Sequence, residues 1–192
     1  MTPAELNSLL QRLRLECDGE LQAQYNRSLP FADGMFDRWE RAERLGFDTE
    51  SSIYDSACVF GEVRVGTKTW IGPYVMLDGS GGGISVGSTC SISAGVQIYT
   101  HDTVLWALSG GVLPARTGAV SIGDRVYIGS QSVIARGVTI GNMAVVAANS
   151  FVRDDVPSRV IVGGVPAVRI GGVEGEGEDV RLVFDSNVAG IA

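Results

Sequence analysis

The sequence predicts a mainly β fold in which short parallel strands wind into a three-sided coil, with a helical segment ahead of it and one loop thrown out of it. Three observations lead there. Large aliphatic residues recur at every sixth position over most of the stretch from Ile53 to Val152, a period that is neither helical nor a simple strand alternation. Small or β-branched residues hold two further places of the same period, and 26 glycines in 192 residues fit a fold built on tight, repeated turns. One stretch alone, between Ile98 and Ile122, abandons the period altogether.

The first element reads as a helix. Thr2-Pro3-Ala4-Glu5 offers an N-cap, a proline at the first helical position and a glutamate three after the cap. Leu6, Leu9, Leu10, Leu13, Cys17 and Leu21 then recur at helical spacing. A second short helix is expected over 33–46, with Phe36, Trp39 and Ala42 on one side and Gly46 as its stop. Residues 1–50 are thus an N-terminal helical segment.

The coil is expected over 51–170. Ile53, Val59, Val65, Ile71 and Leu77 stand six apart, the register slips by three across Gly79–Gly83, and it resumes at Val86, Ile92 and Ile98. It returns at Ile122, Ile128, Ile134, Ile140, Val146 and Val152. In this last block the fifth position is Val126, Ser132, Val138, Ala144, Ser150 and Val156. The second position is Gly123, Gly129, Ala135, Gly141 and Ala147 until Arg153 breaks the rule. Each hexad then makes one side of a prism: a short strand sends one aliphatic inward, a small residue follows at the bend, and stacked turns hydrogen-bond rung to rung. An ordinary sandwich would alternate with period two instead. Gly79–Gly83 lacks the Lys-Ser/Thr of a phosphate-binding loop and opens no helix, so it reads as a bulged turn.

The extruded loop, 99–119, carries Leu105, Trp106, Leu108, Val112 and Leu113 without periodic polar partners. So much apolar surface must roof a site or pack on another subunit, which favours an oligomer. Beyond 170, residues 171–192 form an acidic tail, with GGVEGEGEDV expected as a mobile linker and RLVFDSNV as an edge strand.

Composition narrows the function. A net charge of −7 provides no basic face for nucleic acid or an anionic membrane. No stretch approaches the roughly 20 apolar residues of a spanning helix, and the charged N-terminus does not read as a signal peptide, so a cytoplasmic protein is expected. Cys17, Cys58 and Cys90 are odd in number and widely spaced, as buried packing thiols would be. His101 is the only histidine, which excludes chemistry needing two or three, the three-histidine zinc site of a coiled carbonic anhydrase included. It stands at the mouth of the extruded loop, between Tyr99-Thr100 and Asp102, and an imidazole is suited to general-base work near neutral pH. In an arbitrary protein a histidine there would cap a turn.

The hexads VGTKTW, IGPYVM, VGSTCS, ISAGVQ, IGDRVY, IGSQSV, IARGVT and IGNMAV resemble the signature of the hexapeptide-repeat acyltransferases, over about 51–170. That resemblance implies a left-handed parallel β-helix, and the handedness rests on it alone, since the general rule for parallel crossovers favours the right hand. Tyr99-Thr100-His101-Asp102 is similar to the catalytic motif of the galactoside, maltose and related acetyltransferases. The run from Leu77 to Gly111 resembles sugar-modifying members of bacterial surface-polysaccharide pathways. The resemblance implies direct acetyl transfer from acetyl-CoA to a hydroxyl or amino group of a sugar or nucleotide sugar, with His101 as base, no metal, and a homotrimer.

It also implies substrate contacts at Asp78, Tyr99, Trp106 and Tyr127, the last standing where relatives have a tryptophan along the thioester channel; a turn aspartate and a surface aromatic are the other readings of Asp78 and Tyr127. CoA would lie between neighbouring subunits along Gly129, Ser130, Ala147, Ala148 and Ser150, with Arg153 and Arg169 as candidates for its phosphates. Two departures stand out: Arg153-Asp154 replaces the threonine-lysine pair of relatives, and the late basic residue is shifted by one. Either Asp102 or a nearby carbonyl would orient the imidazole. The competing reading is a non-catalytic coil that serves as a scaffold or binding module.

Overall fold

The computed structural model describes residues 1–186. The strands of the hexads fall into three parallel ladders, and the hexad period decides which residue joins which. On the first, Ile53 pairs with Ile71, and the ladder continues through Ile92, Ile128, Val146 and Val162. The second runs Val59, Leu77, Ile98, Ile134 and Val152. The third runs Val65, Val86, Ile122, Ile140 and Val156. The chain visits the three in turn, one hexad per visit.

The inward residues make the core. All of these ladder residues are buried except Val59, which is half-buried, and the fifth positions Val126, Ser132, Val138, Ala144 and Ser150 are buried with them. Burying each such isoleucine is worth about 1.5–3 kcal/mol, which is how strands of two or three residues hold together. At the bends the next turn of chain leaves no room: a Cβ on Gly129 would overlap the backbone of Ala148. The three-residue slip lies inside the long strand Met76–Val86, whose pairing with Cys58–Val65 shifts register between Gly61 and Val63. After Val152 the count shortens. Val156, expected as a fifth position, bridges Ile140 and takes the inward place of the next hexad.

Both ends of the coil are covered. α1 (Pro3–Tyr25) has the expected capping box between Thr2 and Glu5, yet none of its residues is buried, and Leu6, Leu9, Leu10 and Leu13 are exposed. The expected second helix is two: α2 (Phe31–Met35) and α3 (Arg38–Arg44), because the side chain of Asp37 accepts from the N–H groups of Trp39 and Glu40 and starts a new helix. Arg41 of α3 donates to the carbonyls of Tyr54 and Ala57, which seats buried Ala42 and Phe47 on the first turn of the coil.

At the far end the chain departs from the expected linker. Val168–Glu174 pairs antiparallel with Val160–Gly163, and Arg181–Phe184 pairs antiparallel with Val168–Glu174 as the edge strand. Ile161, Ile170, Val173 and Met143 bury a small cluster beneath it, so Gly171–Glu174 is sheet. The remainder of the tail, 187–192, lies outside the described residues. Cys90 is buried, but Cys58 is exposed, because it precedes an inward residue on a strand whose side chains alternate. Among the described residues no helix is long and apolar enough to cross a membrane.

Truncating an inward residue should therefore cost far more than truncating an outward one. Ile134→Ala is expected to lower stability by about 2–5 kcal/mol, and Thr139→Ala, on an exposed position, by less than about 0.5 kcal/mol. Urea unfolding of both variants measures the difference, and equal losses would contradict the assignment of faces.

Candidate active site

The loop leaves the coil just past the second ladder, and buried hydrogen bonds hold its root. Thr100 is completely buried. Its N–H and its hydroxyl both donate to Asp78 O, at 3.0 and 2.7 Å, and its Oγ1 accepts from Gly81 N at 2.7 Å. The returning end is tied to the same spot, since Gly118 N donates to Thr100 O at 2.8 Å and to Gly81 O at 3.1 Å. Gly81 must be glycine, because a Cβ there would stand 2.7 Å from His101 Cβ. The glycine-rich slip is thus what admits the histidine.

His101 and Asp102 form a two-residue strand paired with Arg116–Thr117, and their side chains diverge. His101 turns back onto the preceding turn of the coil, where its Nδ1 lies 3.8 Å from Asp78 Oδ2. Nδ1 is buried and has no hydrogen-bond partner among the described residues, while the side chain as a whole is 31 % exposed, so the accessible part is the rest of the ring. Asp78 Oδ1 accepts from Ser80 N at 3.1 Å and from the Ser80 hydroxyl, which leaves Oδ2 to face the imidazole.

Asp102, one of the two expected orienters, is engaged elsewhere. Its Oδ2 takes Arg136 Nε at 2.6 Å and Arg116 at 3.0 Å, and its Oδ1 takes Arg116 Nε at 3.1 Å. It also receives Val104 N at 3.2 Å, where α4 (Val104–Leu108) begins. Arg136 above all, then Arg116 and the Val104 N–H, hold its carboxyl down at about 2. The carboxylate facing His101 is therefore Asp78.

The other expected site residues divide. Tyr99 shares a rung of the second ladder with Asp78, and its hydroxyl donates to Gln97 Oε1 at 2.8 Å. Trp106, on α4, is half exposed, with its indole about as near as 3.7 Å to where a Gly111 side chain would be. Tyr127 is exposed but belongs to the first ladder, which is a different sheet from that of Asp78 and Tyr99. Gly129, Ser130, Ala147 and Ala148 gather at one corner, where Gly129 stacks on Ala148. Ser150 is buried; its hydroxyl donates to Ala147 O at 2.7 Å and accepts from Gly164 N at 3.2 Å, so it shapes that corner from inside. Arg153 and Arg169 are exposed and paired to Asp154 at 3.4 Å and Asp185 at 3.2 Å. Asp154, Asp155 and Arg169 share a hollow of about 210 Å³. Among the described residues no three His, Cys, Asp or Glu side chains gather as a metal set.

Sequence reasoning missed Thr100, Ser80, Gly81, Arg116 and Arg136. Gly81 was visible only as part of a glycine run. Arg136 had no signal at all, since it meets Asp102 from 34 residues away.

A family model, the hexapeptide repeat of succinyl-transferase, matches residues 119–153. The putative acetyltransferase YvoF of Bacillus subtilis is 40% identical over 83 residues, 43% of this chain and 44% of that protein, so the chain spans less than half the length of that curated relative. Among solved structures, a hexapeptide-repeat-containing acetyltransferase of Vibrio cholerae is 34% identical, with 85% of this chain and 92% of that one covered and a TM-score of 0.63. A variant of AntD, an N-acyltransferase of Bacillus cereus solved with dTDP and coenzyme A, is 25% identical, with 69% and 88% covered and a TM-score of 0.59. These neighbours imply a β-helix for the coil.

Because the carboxyl of Asp102 is lowered in the folded chain, its hold on the loop is complete above the ordinary carboxylate range and is lost as pH falls towards about 2. A carbon-13 NMR titration of the Asp102 carboxyl should give a midpoint near 2, with α4 and the loop unchanged between pH 5 and 8. A midpoint near 3.8, the ordinary value, would mean that the two arginines do not hold it.

Proposed function

The chain belongs to the hexapeptide-repeat acetyltransferases, and from that premise we propose that it moves an acetyl group from acetyl-CoA to a hydroxyl or amino group of a sugar or nucleotide sugar. The observation that carries this is the single imidazole, His101, with Nδ1 buried towards Asp78 and the rest of its ring open at the mouth of the loop. In this reading a small rotation brings Asp78 onto the Nδ1–H and holds the proton there, so Nε2 has the lone pair to accept the proton of the acceptor. The acceptor oxygen or nitrogen then bonds to the thioester carbonyl carbon, and a tetrahedral oxyanion forms. Backbone N–H groups of the coil corners stabilise that charge. Its collapse breaks the carbon–sulfur bond, and the imidazolium returns its proton to the departing CoA sulfur. In this reading the transfer is direct, without a covalent acyl-enzyme.

A nucleotide-sugar acceptor is supported by AntD, solved with dTDP and coenzyme A. Acetyl-CoA as donor is supported by the Vibrio cholerae relative, solved in complex with it. In this reading residues 51–170 are the transferase domain, the coil is left-handed, and the protein works in the cytoplasm as a homotrimer. The arrangement of the faces supports an oligomer. Tyr127 stands on a different sheet of the coil from Asp78 and Tyr99, as it would if neighbouring copies complete one site between them. CoA would then run past Tyr127 along Gly129, Ser130, Ala147 and Ala148 towards Arg153 and Arg169, while Asp78, Tyr99 and Trp106 meet the acceptor.

Thiol release from acetyl-CoA with a panel of sugars, amino sugars and nucleotide-linked amino sugars tests the reading. Wild-type turnover that falls by about a hundredfold or more in His101→Ala is expected, with Asp78→Asn losing at least about tenfold. Equal rates in wild type and His101→Ala would remove the base, and no turnover with no acetyl-CoA binding would leave the coil as a scaffold.

A further inference from the structure

We propose that Arg136 is a positioning residue for His101, acting through Asp102 to fasten the loop to the turn of coil that follows it. The role in catalysis rests on the acetyl-transfer reading above. Consecutive residues of a strand point to opposite sides. His101 is thereby sent back to Asp78 on one turn of the coil while Asp102 is sent forward to Arg136 on another. The strand that carries His101 is thus tied to the following turn, while its imidazole faces Asp78 on the preceding one.

Three glycines align along the corner where this happens. Gly118 N donates to Gly81 O at 3.1 Å and Gly137 N to Gly118 O at 3.0 Å, and a Cβ on Gly118 would stand 3.0 Å from Gly137 Cα. Arg136 immediately precedes the last of them, so its side chain starts from the rigid wall of the coil. Arg116 differs in this respect. It belongs to the loop, paired across the short hairpin, and moves with whatever the loop does. Of the two guanidiniums on Asp102, only that of Arg136 ties the loop to the body.

Magnitudes explain why such a tie would affect rate more than stability. The pair is partly exposed, about 30 % on each side, and ion pairs of that kind contribute little to folding. Misplacing a reacting group by about 1 Å, however, costs about a hundredfold in rate. A charge-assisted hydrogen bond of 2.6 Å has the directionality to prevent that shift.

The test compares Arg136→Ala, Arg136→Lys, Asp102→Asn and the double variant, with Arg64→Ala, a surface arginine paired to Glu62, as control. Expected are a fall in kcat of about tenfold or more for Arg136→Ala with the acetyl-CoA KM within about twofold, and recovery of most of the loss in Arg136→Lys. Since the pair acts as one unit, the double variant should be no slower than the slower single one. A second readout does not depend on turnover. His101 is the only histidine, so the imidazole region of the NMR spectrum contains one residue, whose resonance should shift and broaden in Arg136→Ala and stay put in Arg64→Ala. An unchanged imidazole signal in Arg136→Ala, or a kcat within twofold of wild type, overturns the proposal. Absence of acetyl transfer in the wild type overturns the acetyl-transfer reading instead, and the imidazole signal still decides the tie.

Discussion

Rung-to-rung stacking is the constraint on which everything else in this protein rests. A strand of two residues has no stability of its own. It exists because its backbone groups pair with the turn above and the turn below, and because its one aliphatic meets the aliphatics of those turns inside the coil. Ile71, Ile92, Ile128 and Val146 succeed one another on a single ladder for that reason. The same stacking forbids side chains at the bends, where the backbone of the next turn occupies the space a Cβ would need. The aliphatic period and the small-residue period are two consequences of one geometry.

That rigidity decides where function can be placed. The stacked rungs leave no room for extra residues within them, so a loop can leave only where a corner lets the chain out and back at the same place. Gly81, Thr100 and Gly118 make that corner. The loop is therefore long and outwardly irregular but has a fixed root, and His101 is at the root. Its partners come from the coil on either side: Asp78 faces the imidazole, and the Asp102–Arg136 pair holds the strand on which it sits. The apolar residues of the loop, Trp106 and Leu108 among them, lie farther out and are exposed.

Stacking also leaves two open ends, and each is closed by a different device. Arg41 of α3 binds carbonyls of the first turn, while the last turn is finished by an antiparallel hairpin that reverses the chain direction. Neither device follows the hexad rule, because each has to end the repeat.

The sequence by itself determined the period, the inward residues, the ends of the interruption and the identity of the one imidazole, since each is a property of local spacing or of residue type. It also showed the capping box at Thr2, because a cap and its helix lie within four residues. What only the tertiary structure decided are the relations between residues far apart in the chain. These are the pairing of His101 with Asp78 in place of Asp102, the arginine reaching Asp102 from the next hexads, the separate faces of Tyr127 and Tyr99, and the hairpin made from what reads as a glycine-rich linker. The physical reason is the same in every case. A hexad specifies which way its own side chain points, but which neighbours it meets depends on the turns of coil stacked against it, and the slip at Gly79–Gly83, the extruded loop and the shortened last turn each shift that count.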